Sequence, residues 1–419
     1  MLTRKTSSAG CRVLAGALSV LASHGVGAAS TTTTYVANDG IDSLSCGARD
    51  RPCRSITQAL TNAKPGTVIM VGPGRYGDID GDGRFDSPGD ERPQKGEYFQ
   101  SSSGLTRDLI CVVCITKPIQ VLSWDGAPAT IIDAGGSSYN VVQIIASNVT
   151  FGDVGRGFTV TGAVAPDNFG PAGNGLLLEG SSSKIIGNVA RSNGGSGFHI
   201  DPGGDPPAVV SPQWHTTLGR VRVAQNTAVD NLRVGFIVAG FNPVTMDGNI
   251  STGNDQGVSV GGYAPHIITH TMVTSNGSGI NVSGGPFQFT HNLVTSNISF
   301  GFSIFDRLEI LTGSNVLKLN DIISNGGPGV QIGEITVGVD INQNNIYGNG
   351  FIEHSNCGVA VFHNSAAAID NYWGSRYGPG TDPADDVGVE PACNGTIPPN
   401  GEAGLPYTKP FATQPFWVL

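Results

Sequence analysis

Five aspartates alternate with other residues in a short glycine-rich segment near the N-terminus. They are Asp78, Asp80, Asp82, Asp86 and Asp90. The first four stand at positions 1, 3, 5 and 9 of the segment and Gly83 stands at position 6, which matches most of the spacing of a calcium-binding loop. Gly89 occupies position 12, where a bidentate acid usually stands, so Asp90 or Glu91 has to replace it. Because carboxylates this dense repel one another without a cation, we predict a structural calcium ion rather than a solvated acidic loop.

A second group of reactive side chains follows two predicted strands. Side chains alternate between the two faces of a strand, so His199 and Asp201 point outward if their neighbours point into the core. By the same parity Glu179 points outward one repeat earlier, beside Asp201. Two carboxylates about 4.8 Å apart perturb each other's pKa or bind a cation. We predict a reaction site at these three residues and His215, which can act as acid or base from the following loop; the alternative is an ordinary turn with a surface histidine.

These side chains need a rigid element to position them, and the second half of the chain indicates one. An asparagine recurs there, in the series Asn193, Asn231, Asn254, Asn276, Asn297, Asn325 and Asn349. After each of the first six comes a glycine and then an alternating triplet, such as Phe302-Ser303-Ile304. A period mostly in the low twenties, with one alternating strand per repeat, is typical of a solenoid of stacked coils.

The recurring asparagines have a structural explanation. Asparagine fits a sharp turn and tolerates left-handed backbone. It can also bond to the same amide in the coil above and below, as stacked identical side chains do. We therefore nominate none of these asparagines as catalytic.

The N-terminal region predicts a secretion signal and a cap. A basic start, an apolar core and a small-residue cleavage site indicate a signal peptide over residues 1–29. Ser55 begins a short amphipathic helix over 56–63, which we predict to cover the open end of the coil stack. Secretion permits disulfides between the close pairs Cys46 and Cys53, Cys111 and Cys114, and Cys357 and Cys393. For Cys111 and Cys114, a redox site is the alternative.

The remaining chain divides into a coil stack over 30–378 and a tail over 379–419 that is rich in proline and glycine. We predict that this tail packs on the last coil. An acidic loop over 77–108 interrupts the stack, and a second loop over 202–220 carries Trp214 and His215. Long loops on a rigid stack are where function usually lies.

Composition argues against several partners. The formal net charge is −10, and loss of the signal, with its three basic residues and no acidic ones, would make it −13. An acidic chain with few basic clusters binds nucleic acid or anionic membranes poorly. No later segment reaches about 18 apolar residues, so we predict no membrane span. We expect a secreted monomer, extracellular or periplasmic.

Motifs at both ends of the mature chain point to a known family. They are Tyr35–Gly40, Ile56–Leu60, Pro65–Val68, Pro73–Tyr76, Asp370–Ser375 and Gly378–Gly380. With these motifs the chain resembles the pectate-lyase-like superfamily, and the resemblance implies an all-β, right-handed parallel β-helix with a short N-terminal capping helix. The superfamily includes lyases, hydrolases, epimerases and proteins without known catalysis, so the resemblance is specific for fold rather than activity. The chain lacks the Arg-x-x-Pro-x-x-Arg region of pectate lyases, the paired aspartates of polygalacturonases and the Asp-Pro-His-Ser of mannuronan epimerases.

The resemblance implies a carbohydrate-active protein, and our leading hypothesis is a polysaccharide lyase acting on a uronate-containing glycan. A base, His199 or His215, would remove the proton alpha to the uronate carboxylate, while a cation on Glu179 and Asp201 neutralises that carboxylate. The first alternative is a non-catalytic module that binds a surface glycan or a protein. The second is a glycoside hydrolase, although its two carboxyl groups would need to stand roughly 5–9.5 Å apart.

Overall fold

The computed structural model describes residues 32–100, 105–165, 173–203, 219–305, 315–333, 338–351, 356–361, 367–380, 384–389, 393 and 408–417. The described residues from Thr32 onward belong to one compact unit. The predicted signal over 1–29 lies outside the described residues, as do Trp214 and His215. Within the described part, no helix has the length and apolar character that crossing a bilayer requires.

The predicted capping helix is present as α1 (Ile56–Asn62). The Ser55 hydroxyl oxygen accepts a hydrogen bond from the backbone N–H of Gln58 at 3.1 Å, which satisfies one of the free donors of the first turn. Ile56, Ala59 and Leu60 are buried, so the amphipathic face packs on the coil stack as predicted.

Thirty-three strands make up nearly all other regular structure of the described residues. The first twelve are β1 (Thr33–Val36), β2 (Val68–Val71), β3 (Gly74–Gly77), β4 (Gln94–Gln100), β5 (Leu105–Ile115), β6 (Gln120–Ser123), β7 (Thr130–Asp133), β8 (Asn140–Ile144), β9 (Thr150–Phe151), β10 (Thr159–Thr161), β11 (Leu176–Leu178) and β12 (Lys184–Ile186). The next eleven are β13 (Val189–Arg191), β14 (Phe198–Ile200), β15 (Val221–Ala224), β16 (Thr227–Val229), β17 (Val234–Val238), β18 (Val244–Asp247), β19 (Ile250–Thr252), β20 (Gln256–Val260), β21 (His266–Thr269), β22 (Met272–Thr274) and β23 (Ser278–Val282). The last ten are β24 (Phe287–Thr290), β25 (Leu293–Thr295), β26 (Phe302–Ile304), β27 (Asn315–Lys318), β28 (Asp321–Ile323), β29 (Val330–Ile332), β30 (Val339–Asn342), β31 (Asn345–Tyr347), β32 (Cys357–Val361) and β33 (Asp386–Val389).

These strands form three long sheets. Sheet A has the order β1-β2-β6-β9-β12-β15-β18-β21-β24-β27-β30, sheet B the order β3-β7-β10-β13-β16-β19-β22-β25-β28-β31, and sheet C the order β33-β32-β29-β26-β23-β20-β17-β14-β11-β8-β5-β4. A regular coil gives one strand to each sheet, and neighbouring coils pair in parallel, for example β11 with β14. The fold is therefore all-β, a right-handed parallel β-helix, as predicted.

Apolar side chains stack in the interior, one per coil. Along sheet C one inward row consists of Leu178, Ile200, Val238, Val260, Val282, Ile304, Ile332 and Val361, all buried. In the neighbouring row the rings of Phe198 and Phe236 stack with centroids 4.9 Å apart. Since each coil repeats the same parity, one alternating triplet per repeat suffices to build a continuous core.

The asparagine series forms a buried ladder, which confirms its predicted structural role. The Oδ1 atom of Asn297 accepts hydrogen bonds from the backbone N–H and the Nδ2 of Asn276, both at 3.1 Å, and the pattern repeats from coil to coil. Asp385 ends the ladder by accepting from Asn349 Nδ2 at 2.8 Å. The ladder asparagines do not themselves adopt left-handed backbone. The preceding residue does, as at Ser275 with a φ of 57°.

A second asparagine ladder runs beside the first and was not predicted. Its members are Asn188, Asn226, Asn249, Asn292, Asn320, Asn344 and Asn371, each buried. Thr271 interrupts the series, and its backbone N–H donates to Asn292 Oδ1 at 3.0 Å. A sequence signal exists, because each member from Asn188 to Asn344, and Thr271 as well, stands five residues before a member of the first ladder. The two ladders enclose the short strands of sheet B.

The two ends of the stack differ from the prediction. Part of the predicted acidic loop over 77–108 is regular, because β4 pairs antiparallel with β5 and adds an edge strand to sheet C. At the other end β33 pairs in parallel with β32, so part of the predicted tail is another rung. Further along the described tail, the backbone N–H of Ala412 donates to Asn371 O at 3.0 Å.

All three predicted disulfides are present, Cys46–Cys53, Cys111–Cys114 and Cys357–Cys393. The Cys111–Cys114 pair lies within β5 and both residues are buried. A reactive thiol pair needs exposure and an electropositive setting, so a structural role fits this pair better than the redox alternative.

Candidate functional site

Glu179 and Asp201 occupy the same position in neighbouring coils. The register of β11 and β14 aligns Leu178 with Ile200, and each acid is the next residue along its coil. The backbone N–H of Asp201 donates to Leu178 O at 2.8 Å, which continues the parallel pairing beyond the strands. Both side chains are half-buried, and neighbouring strands stand about 4.8 Å apart. The sequence therefore predicted correctly that these two acids follow paired strands at equivalent positions of neighbouring coils.

Residues outside the predicted set position the two acids. Gln143 donates from Nε2 to Glu179 Oε2 at 2.8 Å, and its Oε1 accepts from the backbone N–H of Ile110 at 3.0 Å. Gly240 lies against Asp201, because a Cβ at that position would stand 2.6 Å from Asp201 Oδ1. The amide of Gln143 thus fixes one carboxylate, and the absent side chain of Gly240 makes room for the other.

His199 faces outward from sheet C, as its parity predicted. In the register it lies between Leu177 and Ile237, two apolar residues of the neighbouring coils. Burial lowers the pKa of His199 to about 4. The imidazole is therefore neutral at pH 7 and able to accept a proton, although a base is most effective when its pKa lies nearer the working pH. His215, the other predicted base, lies outside the described residues.

A pair of aromatic residues lies in the corresponding turns of the next two coils after Asp201. Phe241 and Tyr263 stack with ring centroids 5.0 Å apart and planes 8° apart, and both are half-buried. The backbone N–H of Phe241 donates to Pro202 O at 3.2 Å, which ties the pair to the turn after Asp201. The pair was not predicted. Its signal is a Gly-aromatic dipeptide repeated 22 residues apart, at Gly240-Phe241 and Gly262-Tyr263.

In the acidic loop three of the five predicted calcium ligands converge. Carboxylate oxygens of Asp78, Asp80 and Asp82 lie within 4.8 Å of one another. Asp78 is buried and accepts from the backbone N–H groups of Gly81 and Gly83, both at 2.7 Å. Burial raises the pKa of Asp78, whereas the Ser87 hydroxyl lowers the pKa of Asp80.

The other acidic residues of the loop have different surroundings. Asp86 and Asp90 do not belong to the converging group. Asp90 accepts from the backbone N–H groups of Ile79 at 3.0 Å and Ser87 at 2.7 Å. Glu91 is buried and accepts from the first two backbone N–H groups of α1, both at 2.7 Å, and burial raises its pKa to about 6. Glu91 therefore stabilises the capping helix and is not the twelfth-position ligand that the sequence allowed.

The fold defines a class for this protein. The chain is a right-handed parallel β-helix repeat protein. A family described as "Periplasmic copper-binding protein (NosD)" matches residues 213–379, and a "Protein of unknown function (DUF1565)" family matches residues 38–85. No curated protein is similar to the chain in sequence.

Solved structures of similar architecture include enzymes that act on polysaccharides. The pectate lyase Pel9A is 16% identical, with a TM-score of 0.47, over 90% of this chain and 82% of that chain. The Azotobacter vinelandii mannuronan C-5 epimerase AlgE6 A-module is 15% identical, with a TM-score of 0.45, over 86% and 94%. A rhamnogalacturonan lyase is 11% identical, with a TM-score of 0.44, over 90% and 87%. Likenesses this distant carry no argument about activity.

Proposed function

We propose that the protein is a secreted, carbohydrate-active β-helix that binds a glycan at Glu179, Asp201, Phe241 and Tyr263. The observation that carries the proposal is the pair of in-register carboxylates next to a half-buried aromatic stack on the same side of the coils. Aromatic rings contact the apolar faces of sugars, and carboxylates accept hydrogen bonds from their hydroxyl groups. Three disulfides fit an oxidising, extracellular or periplasmic location.

The reaction we propose is a polysaccharide lyase elimination on a uronate-containing chain. A base removes the proton alpha to the uronate carboxylate, the electron pair forms a carbon–carbon double bond, and the glycosidic oxygen at the beta carbon leaves. Glu179 and Asp201 would repel a uronate on their own, so these two acids would hold a cation, which would supply positive charge to neutralise the uronate carboxylate. His199, neutral at pH 7, is the base among the described residues.

Replacing either acid tests this proposal. We expect Asp201→Asn and Glu179→Gln to lower kcat/KM about 100-fold, because each removes a charge from the cation site. The measurement is ultraviolet absorbance of unsaturated products from a panel of uronate-containing glycans. Asp230→Asn is the matched control, because Asp230 is an exposed acid in a turn outside the site, and its rate should not change. Equal rates in all three variants would contradict the site, and new reducing ends without absorbance would indicate a hydrolase.

One observation favours a non-catalytic binding module as the second candidate. Beyond His199 the outward row of sheet C consists of Ile237, Ser259, Asn281, Ser303 and Gln331. None of these residues titrates near neutral pH. Glycan binding that Asp201→Asn weakens, without any product from the panel, would support the module over the lyase.

For the acidic loop we propose a structural calcium ion held by Asp78, Asp80 and Asp82. The hydrogen bond from the backbone N–H of Gly83, at position 6, to Asp78, at position 1, closes the loop around the three carboxylates. Glycines at 81 and 83, with φ of 75° and 82°, let the backbone turn this tightly. The remaining oxygens would come from backbone carbonyls and water, as in other calcium loops.

Calcium should stabilise the folded protein by mass action. At a calcium concentration ten times the dissociation constant, we expect about 1.4 kcal/mol of added free energy of unfolding. The measurement is thermal unfolding in millimolar calcium against excess chelator. Asp80→Asn and Asp82→Asn should abolish the difference, whereas Asp86→Asn, outside the converging group, should keep it. If calcium did not change the thermal unfolding of the unmodified protein, the proposed calcium site would be wrong.

A further inference from the structure

Three cations stand close together on the outer face of sheet A. The register of β12 and β15 pairs Lys184 with Arg222, and both side chains are exposed. Neighbouring parallel strands lie about 4.8 Å apart, so the two positive charges project side by side. Arg220, also exposed, precedes β15 by one residue, and its Nη1 donates to the Thr245 hydroxyl at 2.9 Å in the following coil. Lys184, Arg220 and Arg222 form the basic cluster.

Acidic residues compensate this cluster only weakly. Neither of the two paired cations forms an ion pair within the part of the chain that the structure describes. Burial raises the pKa of Asp247, hydrogen bonds from His270 and Thr269 outweigh that effect, and the charge of Arg222 adds to the lowering. The Oδ1 of Asp247 is engaged by His270 and Thr269, both at 2.9 Å, and the ring of His270 stacks on that of His291. One acid that is already engaged thus faces three cations.

Side chains that form hydrogen bonds extend the cluster along the sheet. In register, the outward row consists of Gln120, Thr150, Lys184, Arg222 and Thr245. Five successive strands at about 4.8 Å span roughly 19 Å. An amide, two hydroxyls and two cations over this length suit an extended polar chain rather than a single small ion.

The basic cluster lies across one corner of the coils from the proposed glycan site. Glu179 follows β11 of sheet C, and Lys184 begins β12 of sheet A five residues later. Phe241 lies in the equivalent turn between β17 and β18, and Thr245, which accepts from Arg220, belongs to β18. A chain that contacts the acids and the aromatic pair therefore meets these cations when it continues around the corner.

We propose that the basic cluster binds the carboxylate or sulfate groups of an acidic glycan and so selects acidic over neutral glycans. Guanidinium groups bind such anions through two parallel hydrogen bonds, and an ammonium group pairs with them as a point charge. Three cations on a chain of net charge −10 are too few to favour nucleic acid. The inference rests on the proposed function for the class of ligand, and it adds positive charges that belong to the chain itself.

Binding of glycans to the full protein tests the basic cluster. The probes are oligogalacturonate, dextran sulfate and neutral dextran, and calorimetric titration measures each dissociation constant at low and high salt. We expect an acidic probe to bind more tightly than neutral dextran, and less tightly at high salt because exposed charges are screened. Lys184→Gln and Arg222→Gln should each weaken this binding about 5-fold, and the double variant at least about 10-fold. The acidic probe that binds more tightly identifies the anion as carboxylate or sulfate.

Lys318→Gln is the matched control. Lys318 faces outward from the same sheet, in register with Thr290 and Asn342, so the substitution removes an equal charge away from the cluster. Its binding should equal that of the unmodified protein. An equal loss in this control and in Lys184→Gln would overturn the proposal, because binding would then follow net charge alone. Neutral dextran that binds as tightly as the acidic probes, or single-stranded DNA that binds more tightly, would overturn it as well.

Asp201→Asn separates this inference from the proposed function. If the Lys184 and Arg222 variants weaken binding and Asp201→Asn does not, the basic cluster is supported and the proposed glycan site is wrong. If Asp201→Asn alone weakens binding, the glycan site is supported and the basic cluster is overturned. Both substituted cations are exposed, so their variants should unfold at the same temperature as the unmodified protein.

Discussion

Replacing Asn276 by alanine is expected to lower the free energy of unfolding by about 4 kcal/mol. Asn276 Oδ1 accepts from the backbone N–H of Asn254 at 3.0 Å and from its Nδ2 at 3.1 Å. Its own Nδ2 donates to Ser251 O, Thr274 O and Asn297 Oδ1, each at 3.1 Å. The residue is fully buried, so alanine would leave several polar groups without a partner, and each costs about 1–3 kcal/mol.

Urea unfolding followed by circular dichroism measures this loss, and native-state hydrogen exchange locates it. The amide of Asn254 should exchange faster, because its acceptor is gone. Asn281→Ala is the matched control, since Asn281 lies in the outward row and its buried Oδ1 has no hydrogen-bond partner in the part of the chain that the structure describes. That variant should cost less than about 1 kcal/mol. If the two variants were equally stable, the ladder would not be a main source of stability.

Acidification should destabilise the fold through His266, by about 3 kcal/mol between pH 6.5 and pH 4. His266 is buried, its Nε2 donates to Gly261 O at 3.0 Å, and its Nδ1 has no partner among the described residues. Burial lowers the pKa of His266 to about 4. The pKa of His266 is 6.5 in the unfolded chain and about 4 in the folded protein. Between these two values the unfolded chain binds a proton that the folded protein does not. The free energy of unfolding therefore rises with pH over this window, is fully restored above pH 6.5, and is lost as the pH falls toward 4.

His266→Gln should remove this part of the pH dependence, since glutamine can donate to Gly261 O and does not titrate. The comparison is the difference in unfolding free energy between pH 7 and pH 4.5 for the two proteins. His199 and Glu91 titrate in or near the same window but remain in both, so their contributions cancel. An unchanged slope in the variant would show that His266 is not the group responsible.

The sequence predicted the elements of the fold more completely than its sites. The capping helix was predicted one residue too long, and the three disulfides were predicted correctly. These features depend on short-range signals, namely a cap residue, an amphipathic face and close cysteine pairs. The β4–β5 hairpin was missed because its first strand is polar and does not alternate.

The outward placement of candidate site residues was predicted where strand parity alone sufficed. Glu179, His199 and Asp201 face outward in adjacent coils because strand alternation and the repeat fix both facts. His270 and His291 stand 21 residues apart and belong to no local motif. They meet because both precede a ladder position in successive coils.

By itself the sequence determined that this chain stacks into coils, which side chains face the core, and where the first asparagine ladder runs. Each of these follows from the repeat, because a single repeat already shows which of its positions face inward, face outward or carry the asparagine. Only the tertiary structure decided which outward residues meet, as Gln143 meets Glu179 across 36 positions and Glu91 meets α1 across 35. The physical reason is that the number of residues per coil varies. Which residues of neighbouring coils lie side by side therefore depends on the hydrogen-bond register of each turn. Burial then lowers the pKa values of His199 and His266, which no local pattern encodes.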